Sequence, residues 1–202
     1  PLGRLREHPH EHRRAHVIIV TKCPEHMTPL EKRIMRKELR VYPFQFLFFT
    51  RFEYSDLQNV FDANKKIKLN ELKEKKYSII GVSAIANNNL FSEKLSSLTN
   101  DLKMFNYMDH HSYSKNNIQK IKRVFDKNES DNKLIITTEK DAVKLKELEI
   151  PEDLKKFIYY IPIKVHFIGK NKKQEFNKQI KHYVATNKRY SKLYKGQDQF
   201  KS

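Results

Sequence analysis

A chain of 202 residues is long enough to bury one medium core, or a core and part of a second. Its 38% hydrophobic content leaves that core lean, and its single cysteine, Cys23, excludes a disulfide framework and a cysteine-based zinc knuckle. Lys+Arg 41 against Asp+Glu 24 gives a formal net charge of +17, which favours nucleotides, nucleic acid or an acidic membrane face without choosing among them. No apolar run approaches the ~18 residues that span a bilayer. Residues 1–14 are too polar for a signal peptide, so any membrane association is expected to be peripheral or to reside in sequence outside this chain.

Residues 17–21 (VIIVT) form an apolar, β-branched run, the pattern of a strand covered on both faces of a parallel sheet. Thr28 then fits an N-cap, Pro29 sits at N1 where its missing N–H costs nothing, and Glu31 at N3 completes a capping box. The helix that follows is expected to run to Arg40. Residues 44–54 are aromatic and extended and read as another strand. Residues 56–76 are polar, Lys/Asn-rich and weakly periodic, which suggests a linker or a loosely packed helix. Residues 77–82 (YSIIGV) restart the buried-strand pattern. Leu90, Phe91, Leu95 and Leu98 place a helix after the asparagine-rich turn at 87–89. Ser114 can cap a helix that carries Ile118, Ile121, Val124 and Phe125 on one face. Residues 133–137 form a strand, after which Thr138 caps a helix with Glu139 in its first turn and Asp141 at N3. Residues 157–168 make a long strand pattern broken at Pro162. Phe176, Ile180, Tyr183 and Val184 mark a closing amphipathic helix, and the tail from Lys188 is basic. Alternating strands and helices imply α/β layering with mainly parallel strands.

The chemistry begins with an omission. None of Gly3, Gly81, Gly169 or Gly196 lies in G-x-x-x-x-G-K-[ST], so this chain does not build the phosphate cradle of a P-loop enzyme. A serine nucleophile elbow and an H-E-x-x-H zinc helix are likewise missing. Thr21-Lys22 follows a buried strand where many P-loop proteins keep a base-reading N/T-K-x-D, but Pro24 stands at the Asp position, which argues against guanine recognition. Lys22 otherwise caps a strand end in solvent. Asp109-His110-His111 precedes a helix. A carboxylate beside an imidazole can orient it or share its proton at neutral pH, and the same residues can form an ordinary turn. Thr138, Glu139, Lys140 and Asp141 place a hydroxyl, an ammonium and open backbone N–H groups at a helix start. That is either an anion or nucleotide site or a well-capped helix with solvated charges. His8, His10 and His12 alternate, and in an extended backbone their imidazoles would share one face. Without a fixed second ligand pair, no metal site is expected.

Taken in order, GRLRE (3–7) leading to a strand that ends TKC, GVSAIAN (81–87), MDHHSY (108–113) and TTEKDAVKL (137–145) closely resemble the C-terminal two thirds of the tetraacyldisaccharide 4'-kinase family. These are inner-membrane-associated enzymes that phosphorylate the lipid A disaccharide precursor. The resemblance covers residues 3–184, and the Lys/Asn-rich style looks like the Bacteroidetes branch. It implies an α/β fold: the remainder of a P-loop kinase core, with a mainly parallel sheet, plus a smaller C-terminal α/β domain. The corresponding division is 1–55 for the core part, 56–76 for a hinge, 77–187 for the second domain and 188–202 for a basic tail.

The resemblance also implies ATP and Mg²⁺, bound mainly by an upstream part that carries the Walker motif and catalytic aspartates. The reaction implied is phosphorylation of the 4'-hydroxyl of tetraacyldisaccharide 1-phosphate, with the 202-residue chain inactive alone. Arg6 and Glu7 correspond to an Arg-Glu pair facing the active site, where Arg6 would hold phosphate or the acidic lipid. His110 corresponds to a histidine that partners the upstream catalytic aspartate across the domain cleft, and His111 is expected to matter little. The segment from Thr138 to Asp141 matches a family signature. Three departures stand out: His8 precedes Pro9 where the family continues directly with Pro, His16 replaces an acidic residue, and Ala84 replaces a glycine, making positive φ less comfortable there. The implied partners are an anionic glycolipid, nucleotide and the cytoplasmic face of the inner membrane, with no specific nucleic acid and a monomeric chain. The alternative is a basic α/β nucleic-acid-binding or non-catalytic interaction domain, supported by the charge and by 13 Phe and 10 Tyr. Against nucleic-acid binding, no RNP-like strand, helix-turn-helix or GXXG loop occurs.

Overall fold

The computed structural model describes residues 8–24 and 26–186. The chain divides into two compact units, Pro1–Glu53 with Val165–Ser202, and Tyr54–Lys164.

The first unit carries a 3-10 helix (Pro9–Arg14), β1 (Val17–Val20), α1 (Pro29–Glu38) and most of β2 (Phe46–Tyr54). The histidine-rich segment is thus helical rather than extended, because Pro9 opens it and Glu11 N–H closes a turn on His8 O at 2.9 Å. Gln45 holds that helix in place: its buried amide donates to His12 O (2.8 Å) and Ala15 O (2.7 Å). β1 pairs parallel with β2. The capping box at Thr28 and Glu31 forms as expected, and α1 stops at Glu38.

The second unit contains β3 (Leu57–Asn59), β4 (Lys66–Ile67), α2 (Leu69–Glu74), β5 (Ser78–Ser83), α3 (Asn89–Leu98), β6 (Asp101–Asn106), α4 (Lys115–Asp126), β7 (Lys133–Thr138), α5 (Glu139–Lys146), α6 (Glu152–Lys155) and β8 (Ile158–Ile161). After Pro162 the chain continues as β9 (Ile163–Phe167) and α7 (Lys172–Thr186). β9 joins the three-stranded sheet β1-β2-β9, while β8 lies inside the six-stranded sheet β4-β3-β8-β7-β5-β6. Pro162 thus separates two strands of different sheets, as its missing N–H requires.

Two expectations are corrected. Residues 56–76 are not a linker but supply β3, β4 and α2, anchored by Leu57 and Leu72, which are fully buried. The closing helix α7 belongs with the first unit, where the Phe176 ring packs edge-on against Phe48 at 5.5 Å.

In the larger sheet β8, β7, β5 and β6 run parallel, with β3 antiparallel to β8 at one side and β4 antiparallel to β3 at the edge. Alternate side chains of the central strands feed two apolar layers. Ile80, Val82 and Ile135 meet Ile118, Ile121 and Phe125 of α4 and Leu145 of α5 on one face. Ile79, Leu134 and Ile136 meet Leu72 of α2 and Phe91 and Leu95 of α3 on the other. A Cβ on Gly81 would lie 2.8 Å from Leu95 Cδ1 and 2.3 Å from Met104 Sδ, so the glycine lets α3 sit close to the strand. Helices therefore leave β5 and β7 toward opposite faces, the topological point at which α/β sheets bind ligands beyond their strand ends.

Candidate functional site

The carboxyl ends of β5, β6 and β7 bring GVSAIAN, MDHHSY and TTEKDAVKL together. Tyr107 N–H bonds Ser83 O at 2.8 Å, extending the ladder past β6. His111 N–H then bonds Met108 O at 3.1 Å, closing a turn in which His110 has φ +60°. Holding a non-glycine residue in that left-handed region costs about 1–2 kcal/mol, and Lys22, Arg40, Lys76 and Asn171 share it. The His110 side chain is 82% exposed. Asp109 clamps the turn: its Oδ1 accepts the His110 N–H at 3.0 Å and Lys140 Nζ at 3.1 Å, and its Oδ2 lies 3.5 Å from His110 Nε2. The hydrogen bond from Lys140, with that from His110 N–H and the nearby His110 ring, holds the Asp109 carboxyl below its ordinary range.

Beneath the turn lies an aromatic platform. The His111 ring stacks on Tyr107 with centroids 4.5 Å apart and meets Tyr113 edge-on at 5.5 Å. His111 Nε2 lies 3.1 Å from Asn117 Oδ1, and the same oxygen accepts from Ser114 N–H (2.8 Å) in the capping box of α4. From α5, Lys144 Nζ donates to His111 O at 3.0 Å and pairs with Asp141 Oδ1 at 3.4 Å. Lys140 and Lys144, one helical turn apart, thus grip the side chain and the backbone of the same turn.

Asp141 is fully buried. Its Oδ2 accepts Ala84 N–H at 2.9 Å and the Thr138 hydroxyl at 2.7 Å, while Asp141 N–H donates to Thr138 Oγ1 at 3.1 Å. Ala84 is not among the described residues with positive φ, so alanine fits there without strain. Burial, then the nearby Asp141 charge, pushes the Tyr113 hydroxyl above the ordinary phenol range.

The predicted site residues therefore fare differently. Arg6 and Glu7 lie outside the described residues. His110 stands on an exposed, fastened turn. Of the four residues weighed as an anion or nucleotide site, Thr138 and Asp141 are turned inward and bonded to each other, Lys140 is committed to Asp109, and Glu139 is left exposed. The helix start carries its own carboxylate, which is the well-capped reading of that segment. Tyr107, Tyr113, Asn117 and Lys144 join the site without a motif that singles them out in sequence. The signals were present: tyrosines bracketing the histidine pair and lysines four residues apart on α5. Among the described residues no group of three His, Cys, Asp or Glu side chains is placed to hold a metal ion.

A mainly parallel sheet with helices on both faces, whose strand ends gather Asp109, His110 and Lys140, belongs to the α/β class. The LpxK family model, described as tetraacyldisaccharide-1-P 4'-kinase, matches residues 1–185, and the chain belongs to that family. It is 40% identical over 198 residues to the tetraacyldisaccharide 4'-kinase of Bacteroides thetaiotaomicron, covering 95% of this chain and 52% of that protein. A Bacteroides fragilis protein of the same name is 36% identical, covering 100% of this chain and 54% of its own length. A Flavobacterium psychrophilum relative is 36% identical over 188 residues. The chain thus spans about half the length of the curated relatives it matches. The solved structure of LpxK from Aquifex aeolicus in complex with ATP aligns with a TM-score of 0.51 at 21% identity, over 90% of this chain and 47% of that one. At that identity the likeness establishes the shared fold.

Proposed function

We propose that this chain belongs to an enzyme that transfers the γ-phosphoryl group of ATP to the 4'-hydroxyl of tetraacyldisaccharide 1-phosphate, and that its share of the site is the His110 turn. The observation that carries this reading is the convergence of three separate family motifs around the turn that bears the exposed His110 imidazole. Phosphoryl transfer needs positioning and charge neutralisation more than covalent chemistry. In this reading His110 orients or relays a proton to a carboxylate that acts on the attacking hydroxyl, while Lys140 and Asp109 fix its direction. Arg6 and Glu7 contact phosphate or the acidic lipid. Nucleotide and Mg²⁺ are held mainly by residues other than those described. Among the described residues no helix is long and apolar enough to cross a membrane, so we propose peripheral association of the basic protein with the anionic cytoplasmic face. The family and its named relatives do not favour the nucleic-acid-binding alternative.

The test is His110→Ala in the whole-length enzyme. Phosphorylation of the 4'-hydroxyl is expected to slow by ~10²-fold or more, the range of acid–base groups, with the melting temperature nearly unchanged. Alanine keeps the Cβ, so the left-handed backbone is no easier for the variant than for histidine. Wild-type turnover in a folded His110→Ala enzyme would remove His110 from the reaction.

A further inference from the structure

We infer that His111 is a positioning residue, the part of the platform that keeps His110 left-handed and its imidazole turned outward. The inference rests on the functional reading of His110. The family resemblance gives His110 the functional register and leaves His111 little to do, but the fold gives His111 the more extensive set of contacts. His110 is exposed, and among the described residues its imidazole lies beside the Asp109 carboxylate, which also accepts its backbone N–H. His111 is stacked on Tyr107, edge-on to Tyr113, bonded through Nε2 to Asn117 and through its carbonyl to Lys144. These contacts come from three separate elements: the end of β6, the capped start of α4 and the body of α5. A left-handed histidine relaxes unless its surroundings over-determine it, and here the neighbouring residue is the one that is over-determined. Asn117 takes part twice, as the capping partner of Ser114 and as the partner of His111, so the position of α4 is transmitted to the turn. Lys144 does the same for α5 through the buried Asp141, which is tied to β5 at Ala84.

The structural arm of the test uses the 202-residue chain and amide hydrogen exchange by NMR. His111→Ala is expected to raise exchange at the His111 amide, which is bonded to Met108 O, about 10-fold or more. The Ala84 amide, bonded to Asp141, should stay protected, which separates loosening of the turn from loss of the whole unit. His111→Phe keeps the stack on Tyr107, loses the bond to Asn117 and should fall between the two; it also serves if the alanine variant fails to fold. In the whole-length enzyme, His111→Ala should lower kcat ~10–100-fold with KM for nucleotide unchanged, as expected for a misplaced group. The His110→Ala/His111→Ala double variant should be no slower than His110→Ala, since the second residue acts through the first. Unchanged exchange and kcat in both His111 variants would overturn the inference, and so would additive losses in the double variant. Loosened exchange together with a fully active His110→Ala enzyme would support the positioning and overturn the role of His110 itself.

Discussion

Asp141 is the buried carboxylate at the base of the site, and Tyr113 is buried within reach of its charge. The carboxylate receives Ala84 N–H and the Thr138 hydroxyl, and Lys144 balances its charge. Asp141→Ala would leave a buried N–H without its acceptor and a half-buried ammonium without its partner, at a cost of about 3 kcal/mol. Urea unfolding measures this, and a loss below ~1 kcal/mol would mean that water replaces the carboxylate. Tyr113 yields a pH prediction. Its folded-state value is raised from the ordinary 10.0 by burial and by Asp141, and burial also raises Tyr54, Tyr107, Tyr159 and Tyr160. Above the ordinary value the unfolded chain releases phenolic protons that the folded chain still holds, so stability falls as pH rises past about 10. Melting temperatures should hold steady toward that pH and decline beyond it, and Tyr113→Phe should flatten the decline. An equally steep decline in Tyr113→Phe would assign the alkaline loss to other groups. Sequence alone shows Asp141 at N3 of a capped helix; its inward turn depends on Ala84, 57 residues earlier in the chain, which no local pattern reports.

The helix caps show where local rules reach and where they stop. Thr28 and Thr138 read alike, each a threonine N-cap accepting from the N3 backbone, and both form. Thr28 is exposed and caps α1, none of whose residues is buried, whereas the Thr138 hydroxyl also donates to the buried Asp141. Thr138→Ala should therefore cost about 2 kcal/mol, the upper end for a cap, and Thr28→Ala clearly less. Paired denaturation curves check the order, and equal losses would show that the Asp141 contact adds nothing. The same division accounts for what could be read of the fold. β1, β5 and β7 announce themselves by continuous apolar runs, α4 by its spaced apolar face and capping serine, and β8 and β9 by the proline between them. β3, β4 and α2 are too short to carry a period and depend on single leucines placed by distant partners. β6 was passed over because its sequence, DLKMFN, is half exposed and partly charged, and only its pairing with β5 makes it a strand. The His110 turn was legible as chemistry, but its platform was not, since stacking and left-handed backbone arise only when three elements meet.

At the scale of the whole molecule, apolar burial is divided unequally between the units. Of the 26 buried apolar side chains among the described residues, only Phe48 and Phe49 belong to the first unit. Of the 13 exposed large apolar side chains, ten belong to it, among them Leu30 and Ile34 of α1 and Ile180 and Val184 of α7. Each fully buried aliphatic or aromatic side chain stabilises by roughly 1.5–3 kcal/mol, so the second unit holds nearly all the hydrophobic stabilisation. It also holds the sheet whose strand ends carry the candidate site, which places the His110 turn on the more rigid support. Local opening follows the same distribution, since regions with few buried apolar contacts exchange their amides at lower cost. In the 202-residue chain, amides in the centres of β5 and β7 should be the slowest to exchange. Those of β1 and β2 should be at least ~100-fold faster, a gap of about 2.7 kcal/mol in opening free energy. Exchange at pH 7 read by NMR or mass spectrometry makes the comparison within one sample. Equal protection in the two sheets would show that the first unit draws its stability from something other than side-chain burial, and the argument from apolar area would fail for it.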